Sequence, residues 1–402
     1  MTMKLKQSLA LVLAVFSTLF VTSWSKTSEA YPWMIRHEYT GCALCHSDPS
    51  GGFLLTAYGR AQTQTLLSSF GQGPEGAEVT GLSQFAWGVP LPEWLNVGIT
   101  QRNLLMYMKP ATGPSNTRHI WMQTDARMAV NLGKFEVAGS IGWSHEAGNA
   151  AYITSRPGDN LVSREFWVGY AFDEDKNNRL RVGRMYLPFG IRTIDHYLYV
   201  RNATQTDLDS QQQYGASFFH QSDAYRFEIM GIAGNYQMRP DRYRQRGYSA
   251  YVEYNAASRL GLGFSSLLTY QALSQYSGIA GAGLRGAHGP FVRWAPFSSL
   301  ALMSEWDLLH EGPTSGGSPM VRAAGMVQAD WEFVRGVHAV VTPELYVPNM
   351  QLGNVGYRGW LTAAWFPFPH IDLRADVVKA RDYYGATKMD YTLVLGQLHI
   401  SI

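Results

Sequence analysis

Both cysteines of the chain fall in one five-residue run, Cys42-Ala43-Leu44-Cys45-His46. Two thiols one short turn apart suit addition to the two vinyl groups of a single porphyrin, and the adjacent His46 imidazole then reaches the iron. The spacing therefore points to a covalently attached c-type haem, with thioether links at Cys42 and Cys45 and His46 as one axial ligand. A redox dithiol or disulfide, half of a zinc site and a chance match are the competing readings. Zinc requires two further good ligands, and only His37 and Asp48 lie close in sequence. A thioredoxin-type dithiol calls for a βαβ context, which does not follow.

The second axial ligand is open. His37 lies nine residues before His46, and Met34 is close behind it as a thioether alternative that raises the potential. His338 and His399 sit on the polar faces of strand-like segments and are more distant candidates. Pro49-Ser50-Gly51-Gly52 makes a turn after the motif, and Leu54 to Phe70 has a helical pattern that offers Leu54, Tyr58, Leu66 and Phe70 for packing on a porphyrin. Arg60 is a candidate partner for a propionate, with a plain solvated arginine as the equal alternative. Roughly sixty residues rarely support a core alone, and a haem is the staple such a segment needs.

The first thirty residues have the form of a secretory leader. Lys4 and Lys6 precede the apolar run Leu9 to Val21, and Ser28-Glu29-Ala30 provides small residues for cleavage before Tyr31. No later stretch approaches about 20 continuous apolar residues, so any membrane role rests on strands. Net charge is +2 with 16% charged residues, which gives no basic face for nucleic acid. The 12 Trp, 23 Tyr and 40 Gly in an exported chain fit an outer-membrane barrel with aromatic girdles.

Alternation with a period of two dominates after Glu93. Phe135, Val137, Ile141 and Trp143 oppose Lys134, Glu136, Ser140 and Ser144; Gly325, Val327, Ala329, Trp331 and Phe333 oppose Gln328, Asp330 and Glu332. About sixteen such segments begin near Leu95, Ile120, Phe135, Arg164, Arg179, Gln213, Tyr225, Arg246, Leu260, Arg285, Leu300, Ala323, Val337, Tyr357, Ile371 and Asp390. A soluble β-sandwich also alternates, but the joins separate the two. Short joins such as Leu132 to Lys134 and Val334 to Gly336 alternate with longer ones such as Pro188 to Gln212 and Arg381 to Met389, the rhythm of a transmembrane barrel with both ends in the periplasm. The expected fold is all-β: an antiparallel transmembrane barrel at residues 93–402, preceded by a leader at 1–30 and a haem-binding segment with linker at 31–92. Gly71 to Gly76 is the linker.

A lysine or arginine on the lipid face near the midplane costs about 2–4 kcal/mol. Arg127, Arg226 and Arg374 should therefore face the lumen, with Asp125, Glu228, Glu305, Asp307, Asp330, Glu332, Asp372 and Asp376. A barrel of this size leaves an aqueous channel unless something fills it, and the haem-bearing segment is the obvious filler.

The chain resembles the fused monohaem cytochrome–porin family of outer-membrane electron-transfer proteins. The resemblance is carried by the leader, Cys42-Ala43-Leu44-Cys45-His46, Pro49, Tyr58-Gly59-Arg60 and the barrel-like remainder. It implies one covalent haem, an outer-membrane location with the haem segment on the periplasmic side or in the lumen, a periplasmic electron carrier and an extracellular redox partner. Some members are proposed Fe(II) oxidases, so an oxidoreductase activity on Fe(II) is implied too. The run Pro49 to Leu55 departs from the Pro-Leu-Thr type pattern associated with iron oxidation, which leaves the donor open. The expected function is electron transfer across the outer membrane; the alternative is a solute porin with a haem-bearing plug or redox sensor. Arg184, Arg192, Arg201, Arg239, Arg242 and Arg244 are taken as loop arginines that would favour anions in that alternative. A peroxidase-like haem enzyme needs a distal acid–base pair that no constellation supplies.

Overall fold

The computed structural model describes residues 31–70, 81–143, 161–208, 210–238, 241–273, 282–313, 318–384 and 387–402. The leader, the linker Gly71 to Gly76, Arg239 and most of the join from Glu146 to Ser163 lie outside the described residues. Among the described residues no helix is long and apolar enough to cross a membrane, so crossing falls to strands.

The strands are β1 (Leu95–Pro110), β2 (Asn116–Leu132), β3 (Phe135–Trp143), β4 (Leu161–Val162), β5 (Phe166–Ala171), β6 (Asn178–Met185), β7 (Gln213–Gln221), β8 (Tyr225–Gly234) and β9 (Arg246–Ala257). They continue as β10 (Leu260–Gln271), β11 (Gly283–Phe297), β12 (Leu300–Pro313), β13 (Met320–Val334), β14 (Val337–Val347), β15 (Gly356–Trp365), β16 (Ile371–Tyr384) and β17 (Thr387–Ser401). β4 and β5 both pair with β3 and form one interrupted stave, so the sheet has sixteen staves. Every pairing is antiparallel, and β1 closes the barrel on β17 from Thr100 opposite Ser401 to Pro110 opposite Tyr391. Closure removes the open edges that a bilayer would not tolerate.

Alternation determines which way each strand faces. Phe135, Val137, Ile141 and Trp143 are exposed on the outside, whereas Glu136 between them is buried. Arg127, Arg226, Asp125, Glu228, Glu305, Asp307, Asp330 and Asp376 are all buried on the inner face. Arg374 pairs Asp195 inside the lumen, and Glu332 and Asp372 face inward beside Arg36 and His399. At the end carrying the short turns, Phe172, Phe297, Trp331, Phe333 and Trp365 lie exposed on the outer surface, forming an aromatic girdle at the interface.

Two segments occupy the interior. The N-terminal segment enters at the short-turn end with a 3₁₀ turn at Pro32–His37 and the helix α1 at Ala57–Gln62, which continues as a π turn at Thr63–Leu67. The join after β6 folds inward and carries α2 (Tyr199–Thr204), which packs on β12, β13 and β14. That join is not an external loop. Tyr186, Phe189, Ile191, Leu198 and Val200 are buried, and Arg184 and Arg201 are buried with them, correcting their reading as external arginines.

The strands also run further than alternation predicts. The expected join from Arg381 to Met389 shrinks because β16 extends to Tyr384 and β17 starts at Thr387. Beyond the bilayer a hairpin is wet on both faces, so it loses the alternation by which strands are recognised.

Candidate functional site

The cysteine-bearing loop is built by local hydrogen bonds. The amides of Cys45 and His46 both donate to the Cys42 carbonyl, at 3.2 and 3.0 Å, winding the motif into one tight turn. Ser47 N–H donates to the Leu54 carbonyl and Thr56 N–H to the Cys45 carbonyl, so residues 47–55 return as a small hairpin. Asp48 closes its tip by accepting from the Ser50 amide and hydroxyl, and Gly51 takes a φ of 91°, which favours glycine. Thr56 caps α1 by accepting from the Gly59 amide and ties it to the motif by donating to the Leu44 carbonyl. A Cβ on Gly59 would lie 2.4 Å from the Cys45 carbonyl oxygen, so the helix reaches the motif only because this position has no side chain.

Arginines of the wall hold the loop in place. Arg226 on β8 donates to Cys42 Sγ at 3.0 Å, and Arg181 on β6 pairs with Asp48 at 3.2 Å. Burial pushes the Asp48 carboxyl up, but Arg181, Arg192 and the Ser50 hydrogen bonds prevail and hold it below the usual range. Arg293 donates to the Thr40 carbonyl at 2.7 Å, and Arg36 of the N-terminal turn pairs with Asp330 at 2.9 Å and lies over the Trp33 ring. The inward join touches the loop as well, since Arg192 donates to Ser50 Oγ and Tyr186 packs near Phe53. These buried polar contacts define the seat more than they add stability, because each ion gives up its hydration to make them.

Between the plug, the inward join and strands β12 to β17 lies a cavity with about 1690 Å³ of empty space, part of it open to solvent. His46 and Met34 line it together with Leu55, Leu67, Phe366 and Ile191. Neither cysteine lines it. Cys42 Sγ stands one layer back, 3.3 Å from where a Cβ on the lining residue Gly51 would be, and Cys45 is fully buried. Both thiols are unbridged. An imidazole on a largely apolar lumenal cavity, with two unbridged thiols directly behind the lining residues Gly51 and Gly59, suits a c-type haem provided the turn brings both thiols forward. Among the described residues no three or more His, Cys, Asp or Glu side chains gather where they could hold a metal ion by themselves, here or elsewhere.

The remaining expected residues separate. His37 is half-buried beside Tyr39 and does not line the cavity; burial, then Arg36, lower its pKa to about 4. Arg60 also lies off the cavity, donating to the Leu55 carbonyl at 3.0 Å rather than meeting a carboxylate. Leu54 is buried as expected, but Tyr58 and Phe70 are exposed, and Phe70 packs on Phe368 and Trp365 at the barrel rim. His338, His370 and His399 all line the cavity, and of these His370 was not anticipated. It belongs to the turn before β16, where no strand alternation marks a facing.

The inward join is latched across the lumen. The Ile191 amide donates to Glu305 at 2.7 Å, Arg374 pairs with Asp195 at 2.6 Å, Arg358 donates to the Tyr197 carbonyl at 2.6 Å, and Arg201 pairs with Glu305. A loop folded into a barrel and held by wall charges narrows whatever passage the plug leaves. The result is a closed sixteen-stave antiparallel barrel with one join folded into it. No family model and no curated protein sequence matches the chain. Among solved structures it is similar to the anion-selective porin from Comamonas acidovorans, at 12% identity and a TM-score of 0.58, over 77% of this chain and 99% of that one. Similarity to OmpT of Vibrio cholerae is at 8% identity and a TM-score of 0.57, over 78% and 100% of the two chains. Pseudomonas putida OprB is similar at 8% identity and 0.53, over 84% and 99%. The shared part is the fold of the barrel.

Proposed function

We propose that this chain is an outer-membrane c-type cytochrome fused to a porin-type barrel, of the monohaem cytochrome–porin kind, which passes electrons between an extracellular donor or acceptor and a periplasmic carrier. The observation that carries the reading is that His46, in the only cysteine motif of the chain, lines a cavity inside the barrel. Cys42 and Cys45 would hold the haem by thioethers and His46 would ligate it. When bound, the haem supplies one-electron exchange between ferric and ferrous iron. The chain's own residues shield that site: Met34, Leu55, Leu67 and Phe366 exclude water, and Arg226, Arg181 and Arg293 fix the loop to the wall. The hydrocarbon core is roughly 30 Å thick, so one haem does not span it and a carrier docked at the short-turn mouth completes the path. Fe(II) is the donor to try first.

The test is electron transfer in sealed liposomes bearing the protein, with an acceptor enclosed and Fe(II) outside, under anaerobic conditions. Reduction of the acceptor that needs intact Cys42 and Cys45 supports the reading. Failure both with and without an added periplasmic-type cytochrome overturns it.

A second reading, a solute porin whose haem-bearing segment is a plug or redox sensor, is favoured by the likeness to porins and by the inward-folded join. It predicts sustained ion conductance in the intact protein, which an electron conduit does not require.

A further inference from the structure

The cavity that His46 lines has a second wall, built by the last strands of the barrel, and on it lies a histidine in the posture of a metal ligand. His399, near the end of β17, is buried, and its Nδ1 lies 2.6 Å from Asp372 Oδ2 at the start of β16. Asp372 lines the same cavity, and the two residues are partners in the antiparallel register. A carboxylate at that distance accepts a hydrogen bond from Nδ1–H, so the neutral ring carries its proton on Nδ1 and its lone pair on Nε2. Nε2 is itself buried and has no hydrogen-bond partner among the described residues. A carboxylate-oriented imidazole with an open Nε2 is the usual outer-sphere arrangement at a metal.

The other histidines of the cavity are differently engaged. His370 has both ring nitrogens occupied, by the Ser401 carbonyl at 2.7 Å and the Gln84 carbonyl at 3.2 Å. His338 also has a carboxylate, Asp330, at Nδ1 and a buried Nε2 without a hydrogen-bond partner among the described residues, but the Arg36 guanidinium donates to that same Nδ1 at 3.1 Å, so Nδ1 holds the lone pair and Nε2 the proton; its ring is packed by Trp33 and Phe366. His37 does not line the cavity.

We infer that His399, oriented by Asp372, is the second axial ligand to the haem iron held by His46, so that the closing strand of the barrel clamps the haem that the N-terminal segment carries. This rests on the reading of Cys42 to His46 as a haem attachment site. It makes covalent haem and barrel closure parts of one unit: the segment is seated by its own cofactor as well as by the wall arginines.

The experiment is electron paramagnetic resonance and visible spectroscopy of the full-length protein purified from outer membranes, as wild type and as His399→Leu, Met34→Leu and Asp372→Asn. The wild type should be low-spin with two imidazole ligands and without the far-red band of methionine ligation. His399→Leu should turn high-spin when ferric, bind carbon monoxide when ferrous and return to low spin on addition of imidazole, while Met34→Leu stays as wild type. Asp372→Asn should remain low-spin with a higher midpoint potential, because a neutral amide donates less charge to the imidazole; it also keeps the inference testable if His399→Leu fails to assemble. An unchanged spectrum in His399→Leu, a high-spin Met34→Leu, or an unchanged potential in Asp372→Asn overturns the inference and leaves the haem reading intact. A wild type without haem overturns both.

Discussion

Arg226 of the barrel wall donates to Cys42 Sγ at 3.0 Å while the same guanidinium holds Glu253 at 2.7 Å. Glu253 is in turn gripped by Arg293, which also donates to the Thr40 carbonyl just before the motif and to the Pro32 carbonyl. One buried carboxylate thus aligns two arginines on the same loop, and the cysteine segment is positioned by the strands rather than by a core of its own.

Breaking that arrangement should loosen the plug before it unfolds the barrel. Arg226→Gln removes the contact to Cys42 and leaves Glu253 with one cation. A buried pair broken on one side costs about 3–5 kcal/mol. The expected result is faster proteolysis within 31–70 with an unchanged heat-shift of the barrel on gels; equal proteolysis rates would refute it.

Gly59 is a second point of failure. Gly59→Val sets side-chain atoms against the Cys45 carbonyl, where even a Cβ would lie at 2.4 Å. Overpacking of this kind costs about 1–3 kcal/mol, and here it acts directly on the turn that presents the thiols. The yield of covalent haem per folded barrel should fall several-fold, while the same change at Gly359, which has open space around it and no left-handed backbone, should leave it alone.

The plug should also respond to acid through His37. Its folded-state value is about 4 against an ordinary 6.5, so between those two values the released segment binds a proton that the docked one does not. Docking stability is therefore full above about pH 6.5 and declines as the pH falls toward 4. Burial sets this shift first, followed by Arg36; Glu332 opposes it, and His338 and Arg259 add to it. His37→Gln should flatten the pH dependence of segment proteolysis in that window, and an unchanged slope would show that other groups control it.

Conductance separates the occupants of the lumen. The plug is seated by wall arginines and the inward join is latched by Glu305, Arg374 and Arg358. Planar-bilayer recordings should show small or no steps for the intact chain and larger ones after deletion of 31–70. Equal conductance before and after deletion would mean that the segment does not block the passage, and would favour the porin reading.

The barrel was legible in the sequence because lipid contact forces apolar residues onto every second position, as at Phe135, Val137, Ile141 and Trp143. Where that constraint ends, the pattern ends: alternation stops short of the outer hairpin at Tyr384 and Thr387, and the join from Pro188 to Gln212 carries no pattern that decides between folding inward and standing out as a mobile loop. Its buried Phe189, Ile191 and Val200 meet the lumen one residue at a time, without periodicity. The cysteine motif was visible because its spacing is chemical. The plug's packing was not, since α1 is short and passes into a π turn, so a straight-helix projection misdirects Tyr58 and Phe70. Partners for His399 and Cys42 come from strands far away in sequence, and only closure of the sheet brings them together.

The central claim is that Cys42 and Cys45 carry a haem covalently inside the barrel. The direct measurement is a haem-stained denaturing gel together with the visible spectrum of the protein purified from outer membranes, for wild type and for Cys42→Ala/Cys45→Ala. A haem band at the mass of the wild-type chain with a c-type spectrum, both absent in the double variant, is the predicted result. A wild-type band without haem stain and without a c-type spectrum, from cells that assemble other c-type cytochromes, would contradict it and leave a porin.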